Sequence, residues 1–164
     1  MGTHDLKDAF VAELRDILDG ETQILKGLRT MKQKASHEEL KEAFDEHLHQ
    51  TKGQIERLER VFHSIDENPR GKHCAGIAGI IEEGEGMIEQ AEDPEVLDAM
   101  LIAGAQKVEH YEIATYGTLC TWAEQLGFEE AAELLKENLR EEKETDEKLS
   151  ELAQEVNLQA MTGG

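Results

Sequence analysis

The chain has 164 residues, enough for one domain with a substantial core. Acids outnumber bases 37 to 17, a formal net charge of −20, which argues against direct binding of nucleic acid or an anionic membrane. Only 2 prolines and 4% aromatics accompany abundant Ala, Leu, Glu and Lys, so the expected class is all-α.

The acid excess suits a solvated surface or adaptation to high salt, and it can draw in cations. Cys74 and Cys120 form neither a CxxC metal pair nor a disulfide framework. No apolar run reaches about 18 residues, and the polar start Met1-Gly2-Thr3-His4-Asp5 does not read as a signal peptide. A cytoplasmic location is the expectation.

Helix 1 is predicted from about Thr3 to Lys34. Phe10, Leu14, Ile17, Ile24, Leu28 and Met31 form one stripe, and Glu21 interrupts it. Helix 2, over 36–67, opens on Ser36-His37-Glu38-Glu39, which reads as a capping box. Its stripe is Leu40, Phe44, His47, Thr51, Gln54, Leu58, Val61 and Ile65, polar at the centre. A glycine-rich stretch with an apolar face, about 74–91, reads as a short crossover helix.

Helix 4, over 93–126, starts at Asp93-Pro94-Glu95 and stops at Gly127. Its stripe is read as Leu97, Leu101, Gly104, Val108, Tyr111, Thr115, Thr118 and Trp122, with Glu112 on the edge and Glu109 one turn back. A second face of small residues, including Ala99, Ala103, Ala114 and Gly117, predicts close approach of another helix or subunit. Helix 5, over 129–156, places two acids in its stripe: Leu135, Leu139, Glu142, Asp146, Leu149, Ala153 and Val156.

Hairpin geometry sets these interruptions at one height. A turn near residue 35 brings position 21 level with about 49, and a turn near 127 brings 112 level with about 142. Buried carboxylates without partners cost several kcal/mol each, and the stripes bring no Lys or Arg to this level. Protons, basic groups or a cation must compensate. A divalent metal is the simplest compensator, and carboxylate plus imidazole suits Fe or Mn, with Zn a further option. Taken singly, Glu21 reads as a register-setting polar group and His47 as a hydrogen-bonded core histidine. Only their coincidence across four helices points to a metal. The one literal Glu-x-x-His match, Glu46 to His49, lies off the stripe, and His110 falls on the small-residue face.

The segment Ala99 to Thr118, with Gln106-Lys107-Val108-Glu109-His110-Tyr111-Glu112 at its centre, resembles the YciE/YciF family of bacterial ferritin-like proteins. Gln54-Ile55-Glu56-Arg57-Leu58, Gly79 to Gly84 and Glu141 to Leu149 are similar to it as well. The resemblance spans almost the whole chain. It implies a single ferritin-like domain over 1–164: an up-down four-helix bundle with a short fifth helix in the crossover, usually dimeric and linked to stress responses. It also implies Glu21, His47, Glu109, Glu112 and Glu142 as metal ligands, with Asp146 close by, and a ferroxidase label. Relatives often carry Glu where this chain has Gln50, which puts a second metal position in doubt.

Two functions stay open. One is a di-iron or dimanganese site handling Fe(II) with dioxygen or peroxide. There Glu109 and Glu142 would bridge or flank the metals, Glu21 and Glu112 would be terminal, and His47 would supply nitrogen. The other is a non-catalytic dimeric stress protein with a structural, single-metal or vestigial site.

Overall fold

A computed structural model describes residues 2–161. Its elements are α1 (Leu6–Lys34), α2 (Glu38–Ser64), α3 (Ala75–Gln90), α4 (Pro94–Gln125) and α5 (Glu129–Met161). Among the described residues there is no strand, and no helix is long and apolar enough to cross a membrane.

Local chemistry sets several of the helix ends. Asp5 caps α1 by accepting the Asp8 N–H at 2.8 Å. Asp93 caps α4 by accepting from Glu95 and Val96 at 2.9 and 3.3 Å, with Pro94 following in the first turn. After α4, Gly127 takes φ +75°, the left-handed conformation that glycine adopts without a Cβ penalty.

The start of α2 differs from its capping-box reading. His37 occupies the cap position and makes no side-chain cap bond. The cap comes from the other hairpin instead. The two oxygens of buried Asp98, in the first turns of α4, accept the Ser36 and His37 N–H groups at 2.8 and 3.0 Å. Charge-assisted bonds of this kind are worth about 1.5–3 kcal/mol each. Asp98→Ala is therefore expected to lower the unfolding free energy by about 2–4 kcal/mol, read from urea midpoints at constant slope. A loss below about 0.5 kcal/mol, no more than an ordinary surface change, would show that water replaces the clamp.

α1 with α2 and α4 with α5 form two hairpins; α2 against α5 and α1 against α4 close the square. The Asp98 clamp puts the first turns of α4 at the α1–α2 turn, so α4 runs antiparallel to α1. The α2–α5 pairings Arg57 with Glu141, Gln50 with Thr145 and Glu46 with Lys148 are antiparallel too. The crossover helix α3 lies on α1 and α4. There Gly76 permits close approach, because a Cβ would sit 2.6 Å from the Tyr111 ring.

Among the described residues, the small-residue face of α4 is covered at Ala99, which packs on the core, but open farther along. Ala103 and Ala114 are exposed, and nothing lies within 4 Å of a Cβ placed on Gly117. The buried face of α4 is instead Leu101, Ile102, Ala105, Glu109, Glu112, Tyr116, Leu119 and Ala123. The predicted stripe through Leu97, Val108 and Tyr111 is half-buried and packs toward the side α3 covers. This rotation moves Glu109 and Glu112 from the edge of the helix to its inward centre.

The apolar interior is in two parts. One gathers Phe10, Leu14, Leu58, Phe62, Leu119 and Leu135; the other gathers Ile24, Leu40, Phe44, Leu101 and Leu149. Each fully buried side chain of this size contributes about 1.5–3 kcal/mol. Between the two parts lies a layer of buried polar groups.

Candidate metal centre

That layer draws one to three residues from each bundle helix. α1 gives Glu21, α2 gives His47, Thr51 and Gln54, α4 gives Glu109 and Glu112, and α5 gives Glu142; all are buried. On α4 the spacing of three places Glu109 and Glu112 one above the other. One ligand atom each from His47, Glu109, Glu112 and Glu142 lies within 4.8 Å of the others. Ligands of a divalent transition metal sit about 3–3.5 Å apart as neighbours and about 4.0–4.4 Å when opposite, so side-chain adjustments of up to about an ångström would close the group around an ion.

Its hydrogen bonding is incomplete. While ionised, both oxygens of Glu109, Glu112 and Glu142 and Oε2 of Glu21 find no hydrogen-bond donor, and both ring nitrogens of His47 are unpartnered; with protons held, Glu142 shares hydrogen bonds with Glu109 and Glu112. His47 Nε2 is 2.9 Å from Glu109 Oε1 and 3.9 Å from Glu142 Oε2. The shorter approach is at contact distance, yet it lacks the alignment of a hydrogen bond. Among the described residues, no lysine or arginine pairs with these glutamates. Arg57, on α2, is spent on Glu141 and Asn138.

Burial raises every carboxyl here. Glu109 is pushed up to about 8, first by burial and then by the nearby Glu21 and Asp146 charges. Glu142 is raised by burial and by Glu109, and Glu112 by burial and by Glu142. Glu21 is raised by burial and by Glu142, against the lowering effect of Tyr116, whose hydroxyl donates to Oε1 at 2.7 Å. Four acids that resist ionisation, aimed at one another with idle lone pairs, fit a divalent cation, which would relieve all of them together.

The structure therefore brings together His47, Glu109, Glu112 and Glu142, with Glu21 flanking them. It does not bring in Asp146. That side chain is 19% exposed, bonds exposed His110 Nε2 at 3.1 Å, and lies 3.4 Å from Gln106 Nε2. The inward step on α5 runs from Glu142 to Leu149, which leaves Asp146 on the shoulder. Glu46 and His49 face out, as their off-stripe position implies; Glu46 pairs with Lys148 and His49 with the Asp45 carbonyl. Tyr116 and Asn138 also belong to the layer, and neither carries a stripe signal in the sequence.

Comparison with known proteins agrees with the fold. A family model described as "Domain of unknown function (DUF892)" matches residues 5–162. Protein YciF of Escherichia coli K12 is 49% identical over 155 residues, 93% of each chain. The crystal structure of the E. coli stress protein YciF superposes with a TM-score of 0.90 at 47% identity, covering 94% of this chain and 98% of that one. YcfI of Rhodopseudomonas palustris, put forward as a structural protein, gives 0.88 at 42% identity over 90% of this chain and 94% of its own. A Xanthomonas campestris protein at 21% identity shares the fold, with a TM-score of 0.76 over 96% of each chain. The chain belongs to the DUF892 family and is a YciF-like ferritin-like protein within it.

Proposed function

We propose that this chain is a metal-binding stress protein whose buried cluster holds one divalent ion, iron first and manganese or zinc next. Glu109, Glu112, Glu142 and His47 are the ligands, and Glu21 adjusts to the ion from the flank. The observation that carries the proposal is the set of buried carboxylate oxygens and imidazole nitrogens that, once ionised, have no hydrogen-bond partner. A bound redox-active ion would supply electron transfer to dioxygen or peroxide.

Protein purified without chelator should contain about one ion per chain, as the four-ligand set implies. Stripping the ion should lower stability by about 2.7 kcal/mol or more relative to metal at 100 times its dissociation constant. Metal-free protein that takes up none of Fe, Mn or Zn would sink the proposal.

One observation favours a non-catalytic reading. Gln50, the neutral residue near the cluster, has its side-chain oxygen engaged by Thr145 at 3.0 Å, so it leaves a second metal position without an acid. Fe(II)-dependent consumption of dioxygen or peroxide separates an oxidase from a structural site. A homodimer belongs to the proposal through the uncovered Ala103 and Ala114 side of α4. Light scattering should give twice the 18.4 kDa chain mass. A monomer at high micromolar concentration would remove that part.

A further inference from the structure

The cluster is approached from two sides of opposite character. Between α2 and α5 a cleft of about 230 Å³, walled by Glu46, Gln50, Glu144 and Lys148, reaches His47. On the other side, between α1, α3 and α4, two smaller hollows adjoin. The outer one, about 90 Å³, is walled largely by aliphatic side chains, with Thr30 and Glu85 at its exposed rim. The inner one, about 30 Å³, ends on His47. They share Gly27, Met31, Ile81 and Val108 as walls.

Missing side chains create part of this space. Nothing lies within 4 Å of a Cβ built on Gly84 or Gly104, and the nearest atom to one on Gly27 is Ile81 Cδ1 at 4.0 Å. Each hollow has room for at least one water, but a buried water needs two to four polar partners that these walls do not offer. Both hollows open at the surface, so water can reach their mouths, but their apolar walls hold it weakly, and apolar space of this size takes up xenon or other small apolar molecules. Their size falls well short of the 300 Å³ or more of a drug-sized ligand site.

We infer that the crevice beneath α3 is an apolar passage that delivers a small uncharged molecule of dioxygen's class to the His47 edge of the cluster. Ions and polar reactants enter by the α2–α5 cleft. The destination rests on the metal-centre reading; the passage itself can be tested without metal.

Xenon titration of the metal-free protein, followed by methyl NMR, should give saturable shifts at Met31, Ile81 and Val108. Gly104→Leu fills the outer hollow, and Gly27→Val independently fills the inner one. Each should reduce those shifts at least fivefold. In the iron-loaded protein each plug should slow dioxygen consumption at least tenfold at low dioxygen, with metal affinity and peroxide consumption unchanged. Absence of saturable xenon shifts overturns the passage. So does equal slowing of dioxygen and peroxide by a plug that folds normally. Xenon binding without any metal uptake would uphold the hollow and overturn the metal reading instead.

Discussion

Replacing Glu109 and Glu142 together with glutamine is expected to abolish tight metal uptake while leaving the bundle folded. Glutamine keeps the volume of glutamate, so the packed layer survives. It removes both negative charges, and a neutral amide is a poor ligand for a divalent ion. Loss of a residue that merely orients a ligand costs 10–100-fold in affinity, so loss of two ligands should cost at least 100-fold. The same variant should be more stable than the parent when both are metal-free at pH 8. An amide needs no proton to be buried, whereas each unit by which a carboxyl is raised is worth about 1.4 kcal/mol. Calorimetric titration and elemental analysis read the first effect, and urea midpoints the second. Parental metal content in the variant would place the ion elsewhere. A variant less stable than the parent at pH 8 would mean that these carboxylates are stabilised in the fold without a cation.

Stability of the metal-free protein is expected to fall as pH rises from about 4.5 through about 8. Glu109 is pushed up to about 8, and Glu21, Glu112 and Glu142 are raised as well, from an ordinary value of 4.5. Between those limits the native chain holds protons that the unfolded chain has released, so unfolding is favoured as protons become scarce. The contribution is intact below 4.5 and is lost as pH climbs through the native value. With a divalent ion in place the carboxylates are ionised in the native state, and the slope should flatten or reverse. The net charge of −20 adds self-repulsion in the same direction, but half-molar salt screens the surface part and leaves the buried part. Urea midpoints at pH 5, 6.5 and 8, with chelator and with manganese, give both slopes. A chelated protein more stable at pH 8 than at pH 5 would contradict the assignment. So would a slope unchanged in the double glutamine variant.

The architecture was legible because stripe and hairpin arguments use local information. Glu21 and His47 stand out on amphipathic helices, Glu21 alone on an otherwise apolar stripe and His47 at the polar centre of its own, and antiparallel turns fix their heights. α4 was harder to read. It is apolar on two sides, since the inner core takes Leu101, Ala105 and Leu119 while α3 covers Leu97, Val108 and Tyr111. Periodicity cannot rank two apolar faces, so Glu112 looked peripheral when it is central. α5 failed in a different way. Leu149 lies seven positions after Glu142, and either Thr145 or Asp146 could fill the gap by count. Cross-helix pairing decided it, sending Thr145 to Gln50 and Asp146 to His110. The Asp98 clamp left no local sign either, because its partners are more than 60 positions away, and the Ser36 motif offered a plausible substitute nearby.

A core severed by its own acids has a mechanical consequence. The two hydrophobic halves meet across a seam that, with no ion bound, supplies little cohesion. Native-state amide exchange should then resolve two foldons, one at each end of the rod-like helices, opening with different free energies. An ion gripping three of the four helices would rivet the halves, and the two opening steps should merge into one cooperative transition.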